Sequence, residues 1–423
     1  MGEYDVRAVS LAVVGGVFFG GIATGVAFPT LPLLDDLLGI TAVMLGLVLA
    51  ANRIARLVMN TPAGSIIDRV GARTPMIVGL FTQALAPFGY VVGLHTPPVT
   101  VASLPVLGEV SAPGVVFVLA RTMWGVGSAF VFIGAFAVVT HVTTADNRGK
   151  WIGYVRGGQS LGFPTGLVVG GVMTDLVGIQ EAFLVAGACA LVAGVVAAAV
   201  LPDVTPDHDS GGGLRDVPAL LRRRPVVLPI GVGNFTLQLL WGGVLLTTLA
   251  KYAEAFAFEI GPLEAAGVAG VVMGGGVLVT GGVTLWAGQR SDELGNRALL
   301  TVPSFLALVV GFGLIALVPA LPALVVGILL AGAGVGAGAP ALLTILGDVT
   351  PGDELGRLGG VYNTMGDVGL SLGPLVAIPA VETAGYRATY LFCAALVGAC
   401  LLVVSLPLLW SPASDTARVA DSD

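Results

Sequence analysis

Five ionisable side chains stand inside stretches that are otherwise almost wholly apolar: Arg53, Arg56, Arg121, Arg156 and Asp367. A charge in hydrocarbon is expensive, so such groups face a bundle interior or a water-filled cavity and mark ion or substrate pathways. The chemistry open to them is binding and proton handling, not bond-making. A guanidinium fork suits carboxylate or phosphate, and a membrane carboxyl can take up and release a proton. All four arginines lie in the N-terminal half and the acid in the C-terminal half, a balance of four positive charges to one negative. Lys251 and Glu254, near the end of their apolar stretch, read as interfacial, and Asp35 and Asp36 read as a solvated helix end. His95 and His208 fall in polar connections and His141 at the end of an apolar stretch. Cys189, Cys393 and Cys400 have no metal-ligand spacing. No Ser/His/Asp arrangement, phosphate-cradling loop or metal cluster appears, so no enzyme, ATP-driven pump, metal or cofactor is expected.

A second pattern occurs twice. Gly64-Ser65-Ile66-Ile67-Asp68-Arg69-Val70-Gly71-Ala72-Arg73 returns 224 positions later as Gly288-Gln289-Arg290-Ser291-Asp292-Glu293-Leu294-Gly295-Asn296-Arg297. Each copy joins two apolar stretches long enough to cross a bilayer. Gly149 and Gly153 likewise match Gly356 and Gly360 at an offset of 207. One helical bundle has been duplicated, and both copies keep this loop on the same side of a membrane.

The elements that must position these residues follow from composition. The chain is 56% hydrophobic and 11% charged, with 63 glycines and a mean hydropathy of +0.95, outside the range of soluble domains. A spanning helix needs roughly 20 mostly apolar residues. About twelve such segments can be placed, near 11–34, 41–66, 73–93, 113–140, 149–176, 179–201, 226–250, 263–287, 298–317, 321–347, 357–381 and 387–410. The fold class is therefore all-α and polytopic, two pseudo-symmetric six-helix bundles. The segments from 1–203 form the N-terminal bundle and those from 226–411 the C-terminal one. Residues 204–225, with Asp-His-Asp-Ser-Gly-Gly-Gly and then Leu-Arg-Arg-Arg, read as a cytoplasmic linker, and 412–423 as a cytoplasmic tail. The 94–112 connection reads as an outer loop. With the termini inside, thirteen basic residues fall on the inner side and only Lys251 and Arg387 on the outer, a decisive bias. The net charge of -7 and the absence of a basic patch with interleaved aromatics argue against nucleic acid. Only two of the nineteen basic residues are lysines, a balance favoured at high salt.

The repeated loop resembles the connection between helices 2 and 3 of the major facilitator superfamily, G-x-x-x-D-R-x-G-R-R. Ala72 replaces one terminal arginine, and Glu293 replaces the arginine after the acid in the second copy. Further likenesses run along the chain. Pro29-Thr30-Leu31-Pro32 is similar to the P-x-x-P at the end of helix 1, and Arg121 with Gly125 and Gly127 to the R-x-x-x-G-x-G of helix 4. Gly158, Gly162, Pro164, Gly166 and Gly170-Gly171 resemble the G-x-x-x-G-P-x-x-G-G of proton-driven drug exporters, interrupted by Phe163. Gly369, Gly373 and Pro374 repeat the element in helix 11. The resemblance implies a plasma-membrane carrier with both termini cytoplasmic, working as a monomer by alternating access.

From these features come specific expectations. Gly64, Asp68, Arg69, Gly71 and Arg73 form an inner gate with Gly288, Asp292, Gly295 and Arg297. Gly162, Pro164, Gly166, Gly373 and Pro374 pack helices closely and allow bending. Arg121 lines a central cavity, a bond to a backbone carbonyl being the alternative. Asp367 pairs with Arg53 or Arg56, because Arg53 lies about 20° and Arg56 about 80° from Gly64 around helix 2 at ~100° per residue. Substrate and protons travel past Arg53, Arg56, Arg121, Arg156 and Asp367. The leading function is secondary active transport of small organic solutes, as proton-coupled efflux. The alternative is uptake or exchange of a small anion or organic acid, motivated by the arginine excess. A non-transporting receptor is disfavoured by the duplicated loops. Its expected partners are a small-molecule substrate, protons and the lipid bilayer.

Overall fold

The computed structural model describes residues 5–105, 108–204, 226–293 and 297–405. Most of the expected linker, and the tail 412–423, lie outside these residues. Ten stretches among the described residues are long and apolar enough to cross a membrane. Helix α1 is Val6–Thr30, α2 Ala42–Val70, α3 Arg73–Leu94, α4 Ala112–Val142, α5 Ala145–Leu176 and α6 Ile179–Val200. Helix α7 spans Val227–Ala255 with a π turn over Leu239–Leu245. Then come α8, Ala265–Glu293, α9, Thr301–Leu317, and α10, Leu321–Val349. The run Gly352–Cys400 breaks at Gly385, whose φ of +79° no helix accommodates, giving α11 over 352–384 and α12 over 386–400. With α5, whose glycines and polar residues dilute its hydropathy, the described segments number twelve.

Local chemistry sets the boundaries. Asp5 Oδ1 accepts from the backbone N–H groups of Arg7 and Ala8, so α1 begins earlier than hydropathy alone suggests. Thr41 caps α2 and Ser111 caps α4 by the same means. Thr144 and Asn147 form a reciprocal capping box at α5. Gly71, at φ +83°, ends α2, and Gly178, at φ +142°, turns the chain between α5 and α6. The 94–112 connection is not a plain loop: Thr100–Leu104 (β1) pairs antiparallel with Gly108–Ser111 (β2), Ala102 opposite Val110. β1 is exposed throughout and rich in β-branched and small residues, which suits a two-stranded ribbon.

The chain forms two compact units. The first holds residues 1–208, 247–274 and 374–379; the second holds 209–246, 275–373 and 380–423. In the first unit, α1 packs on α5 along a ladder of small residues. Gly158, Gly162, Gly166 and Gly170 face Val14, Phe18, Ile22 and Val26 in turn. A Cβ on Gly170 would lie 2.5 Å from Val26 Cα, so only glycine lets the backbones meet. The core near the hairpin is aromatic: Tyr90 stacks on Phe117 at 5.8 Å and meets Phe183 edge-on at 5.1 Å. Toward the other end it becomes aliphatic, with Val13, Met76, Leu80 and Val138. The second unit repeats the ladder in shorter form, with Gly369 against the Phe235 carbonyl and Gly373 against Gly243. Two buried polar side chains there are paired: Asn234 Nδ2 donates to the Tyr362 carbonyl at 2.8 Å and Ser304 Oγ to the Gly334 carbonyl at 2.6 Å.

Candidate functional site

Arg121 is 1% exposed. Helix α4 brings it against α2, where Nε donates to the Val48 carbonyl and Nη2 to the Leu49 carbonyl, each at 3.3 Å, and Nη2 also to Asn52 Oδ1 at 2.8 Å. The Tyr90 hydroxyl lies beside the same guanidinium. The charge is therefore met by backbone dipoles and one amide, with no carboxylate among these partners, and the side chain does not stand at an open wall.

A second arginine joins it through an aromatic ring. Phe28, buried near the end of α1, has the Arg121 guanidinium 6.0 Å from its centroid and that of Arg53 at 5.2 Å. Phe163 meets Phe28 edge-on at 5.4 Å. The residue that interrupts the Gly-Pro pair of α5 thus completes an Arg–Phe–Phe cluster that charge counting had missed. A phenylalanine in the middle of a glycine-rich motif was the signal available. Arg53 and Arg56 are half-buried.

Arg156 is exposed and sits over the Phe136 ring at 5.8 Å. At ~100° per residue it shares a face of α5 with Ser160, Leu167 and Gly171. The hairpin-end part of that face is covered by α8, with Gly171 against Ala266 and Leu167 against Gly270. Asp367 is half-buried in the second unit, and its carbonyl accepts from Ser371 Oγ at 2.7 Å. Its expected arginine partners belong to the first unit.

The repeated loop differs between its copies. In the first, Ala72 N–H donates to the Val204 carbonyl at 2.8 Å and Arg73 Nη2 to the Ala198 carbonyl at 3.2 Å, tying the loop to the end of α6. Gly71 is needed twice over, for its positive φ and because a Cβ would lie 3.0 Å from the Val204 carbonyl oxygen. Asp68 is half-buried and Arg69 exposed. In the second copy, Arg297 pairs with Asp348 of α10 at 2.6 Å, and Arg290 with Glu293. The acid that replaces an arginine thus finds its own local cation. Gly295 and the Asp292 side chain lie outside what is described.

Gly46 and Gly64 sit on one line of α2, eighteen residues and five turns apart at ~100° per residue. A Cβ on Gly46 would lie 2.8 Å from the Pro374 carbonyl oxygen, whereas one on Gly64 would meet nothing within 4 Å. The same face is packed at one end and open at the other.

At the packed end the structure corrects one reading. Asp35 is not solvated: it is 9% exposed and forms an ion pair with Lys251 of α7. Lys251 is accordingly more than interfacial. Sequence separation hid the pair, since 216 positions divide the partners. A further acid was overlooked altogether. Asp175 Oδ2, near the end of α5, accepts from the backbone N–H groups of Glu264 and Gly267 at 2.7 Å each, where α8 begins. An aspartate closing a long apolar run was the only hint.

Comparison with known proteins agrees with this architecture. "Multidrug resistance protein 2" of Bacillus subtilis (strain 168) is 26% identical over 197 residues, 47% of this chain and 44% of that protein. The match thus spans about half the length of that relative. A bacterial homolog of the human lysosomal transporter Spinster, in an inward-facing and occupied conformation, superposes with a TM-score of 0.74 over 98% of each chain at 14% identity. The human organic anion transporter MFSD10 superposes with a TM-score of 0.63 at 19% identity, covering 95% of this chain and 100% of that one. At such identities the structures speak for the fold alone. The profile described as Major Facilitator Superfamily matches residues 13–322 and 264–423, and the chain belongs to that family.

Proposed function

We propose that this protein is a secondary carrier that exports small organic solutes across the plasma membrane in exchange for protons, by alternating access. The observation that carries the reading is the asymmetry along α2: Gly46 is packed on the 374–379 segment while Gly64 meets open space. A face of α2 packed at one end and free at the other supports a helix that changes partners during transport. With the termini inside, as the basic residues favour, the packed end is the outer one. Gly64 and Asp68 then belong to the gate that closes when the outer end opens. The direction of transport is inferred from the multidrug relative and from the exporter-like element of α5. Asp367 is the candidate proton carrier, as an acid at mid-segment.

A second reading is supported by the charge of the first unit. Arg53 and Arg156 stand over aromatic rings inside apolar helices, a setting suited to an amphipathic organic anion. Everted membrane vesicles separate the two. Proton-driven uptake of lipophilic cations, with organic anions ignored, supports the first reading; uptake of aromatic carboxylates alone replaces it with the second.

A further inference from the structure

We propose that Asp175 is the positioning residue of an outer latch, holding the start of α8 against α5 while the carrier is closed to the outside. The idea rests on the alternating-access reading above.

Contacts within the first unit support it. Asp175 Oδ2 accepts from Glu264 N–H and Gly267 N–H at 2.7 Å each. These are among the backbone donors that a helix start leaves without intrahelical acceptors. A carboxylate there also meets the positive end of the helix dipole, and charge-assisted hydrogen bonds are the stronger kind. Asp175 lies on α5, so this cap is supplied in trans, from a residue 89 positions away from Glu264. It therefore cannot persist if α8 moves off α5.

The contact beneath it is a close approach of two backbones. Gly171 faces the Ala266 carbonyl, Gly270 faces the Leu167 carbonyl, and a Cβ on Gly267 would lie 2.5 Å from Asp175 Oδ2 itself. Glycines let the two backbones approach closely, so the polar cap sits directly on the seam it fastens. The ion pair of Asp35 with Lys251 joins α7 to the end of α1 in the same unit and forms a second fastening. Glu181, the nearest acid in sequence, is exposed at the start of α6 and folds back toward Gly178, which leaves it outside the latch.

The test reads the seam directly. Ala266 is 1% exposed, and Ala266→Cys is a small change there. Labelling of that cysteine by a membrane-impermeant maleimide from outside, with the unsubstituted chain as background, measures how often the seam opens. Asp175→Ala should accelerate labelling about tenfold, and Asp175→Asn, which keeps an acceptor but loses the charge, by about threefold. Asp175→Glu should stay within about twofold of the parent, and Glu181→Gln likewise. Asp35→Asn should add to the effect of Asp175→Ala. If Asp175→Ala does not insert, Asp175→Asn decides. Labelling unchanged in both variants overturns the latch, as does an equal rise in Glu181→Gln. The carrier reading is judged separately, by whether tetraphenylphosphonium or benzoate alters labelling of the parent. A response there with none in the Asp175 variants removes the latch and leaves the carrier.

Discussion

The guanidinium of Arg121 reaches three acceptors on α2, and its planar fork is what lets it do so. Lysine offers a single ammonium on the same spot and cannot span them. Arg121→Lys should therefore lower stability by about 2 kcal/mol, the scale of lost hydrogen bonds to a charged group. Thermal unfolding in detergent should show this as a Tm lower by about 2 °C for a chain of this length. A Tm unchanged to within a degree would mean the fork is not holding α4 to α2. The arginine itself was legible in the sequence as a costly buried charge. A bond to a backbone carbonyl was the alternative reading; which carbonyls serve, and the asparagine beside Arg53, were not legible, because none of them enters a count of charges. The same blindness hid the pairing of Asp35 with Lys251, whose members look solvated when each is read alone.

Helices α1 and α5 meet along four glycines, and the ladder makes a graded prediction. Gly166→Ala places a Cβ against the Ile22 carbonyl oxygen, with no side chain to give way. It should cost about 1–3 kcal/mol as the helices are forced apart. Gly153→Ala, on the same helix with nothing within 4 Å, should instead stabilise by about 0.5–1 kcal/mol, since alanine loses less entropy in a helix. Parallel unfolding curves of the two variants check this, and equal shifts would refute the ladder. Glycine spacing in α5 was readable in advance as a packing device. What the spacing could not show was which helix it serves, because partners in a bundle are chosen by topology over more than a hundred residues. The π turn of α7 and the hairpin of the 94–112 connection were also illegible. The first is a local rearrangement opposite Gly373, and the second has too few residues for a periodic signal.

For the molecule as a whole, the duplicated loop and the twelve apolar segments were enough to read the fold, since each depends on composition repeated over long stretches. Gating and coupling depend on single side chains in different units and remain proposals. Asp68→Asn should cut transport at least about tenfold with insertion intact, because a closing gate needs a charged acceptor for unpaired helix N–H groups and asparagine keeps the acceptor but loses the charge. Normal flux in that variant would remove Asp68 from the gate. Asp367→Asn should likewise impair transport, and neutralising Arg53 or Arg56 together with it should restore part of the loss. Strictly additive losses would show that the acid and the arginines do not communicate.

The central claim is that solute movement and proton movement are one event. Its most direct measurement is the pH inside proteoliposomes, followed with an entrapped dye while a candidate solute is added outside under an imposed pH gradient. The account predicts a saturable, solute-dependent proton flux opposite to the solute, abolished by Asp367→Asn. Solute counterflow at full rate with no proton movement, in the parent and the variant alike, would contradict it.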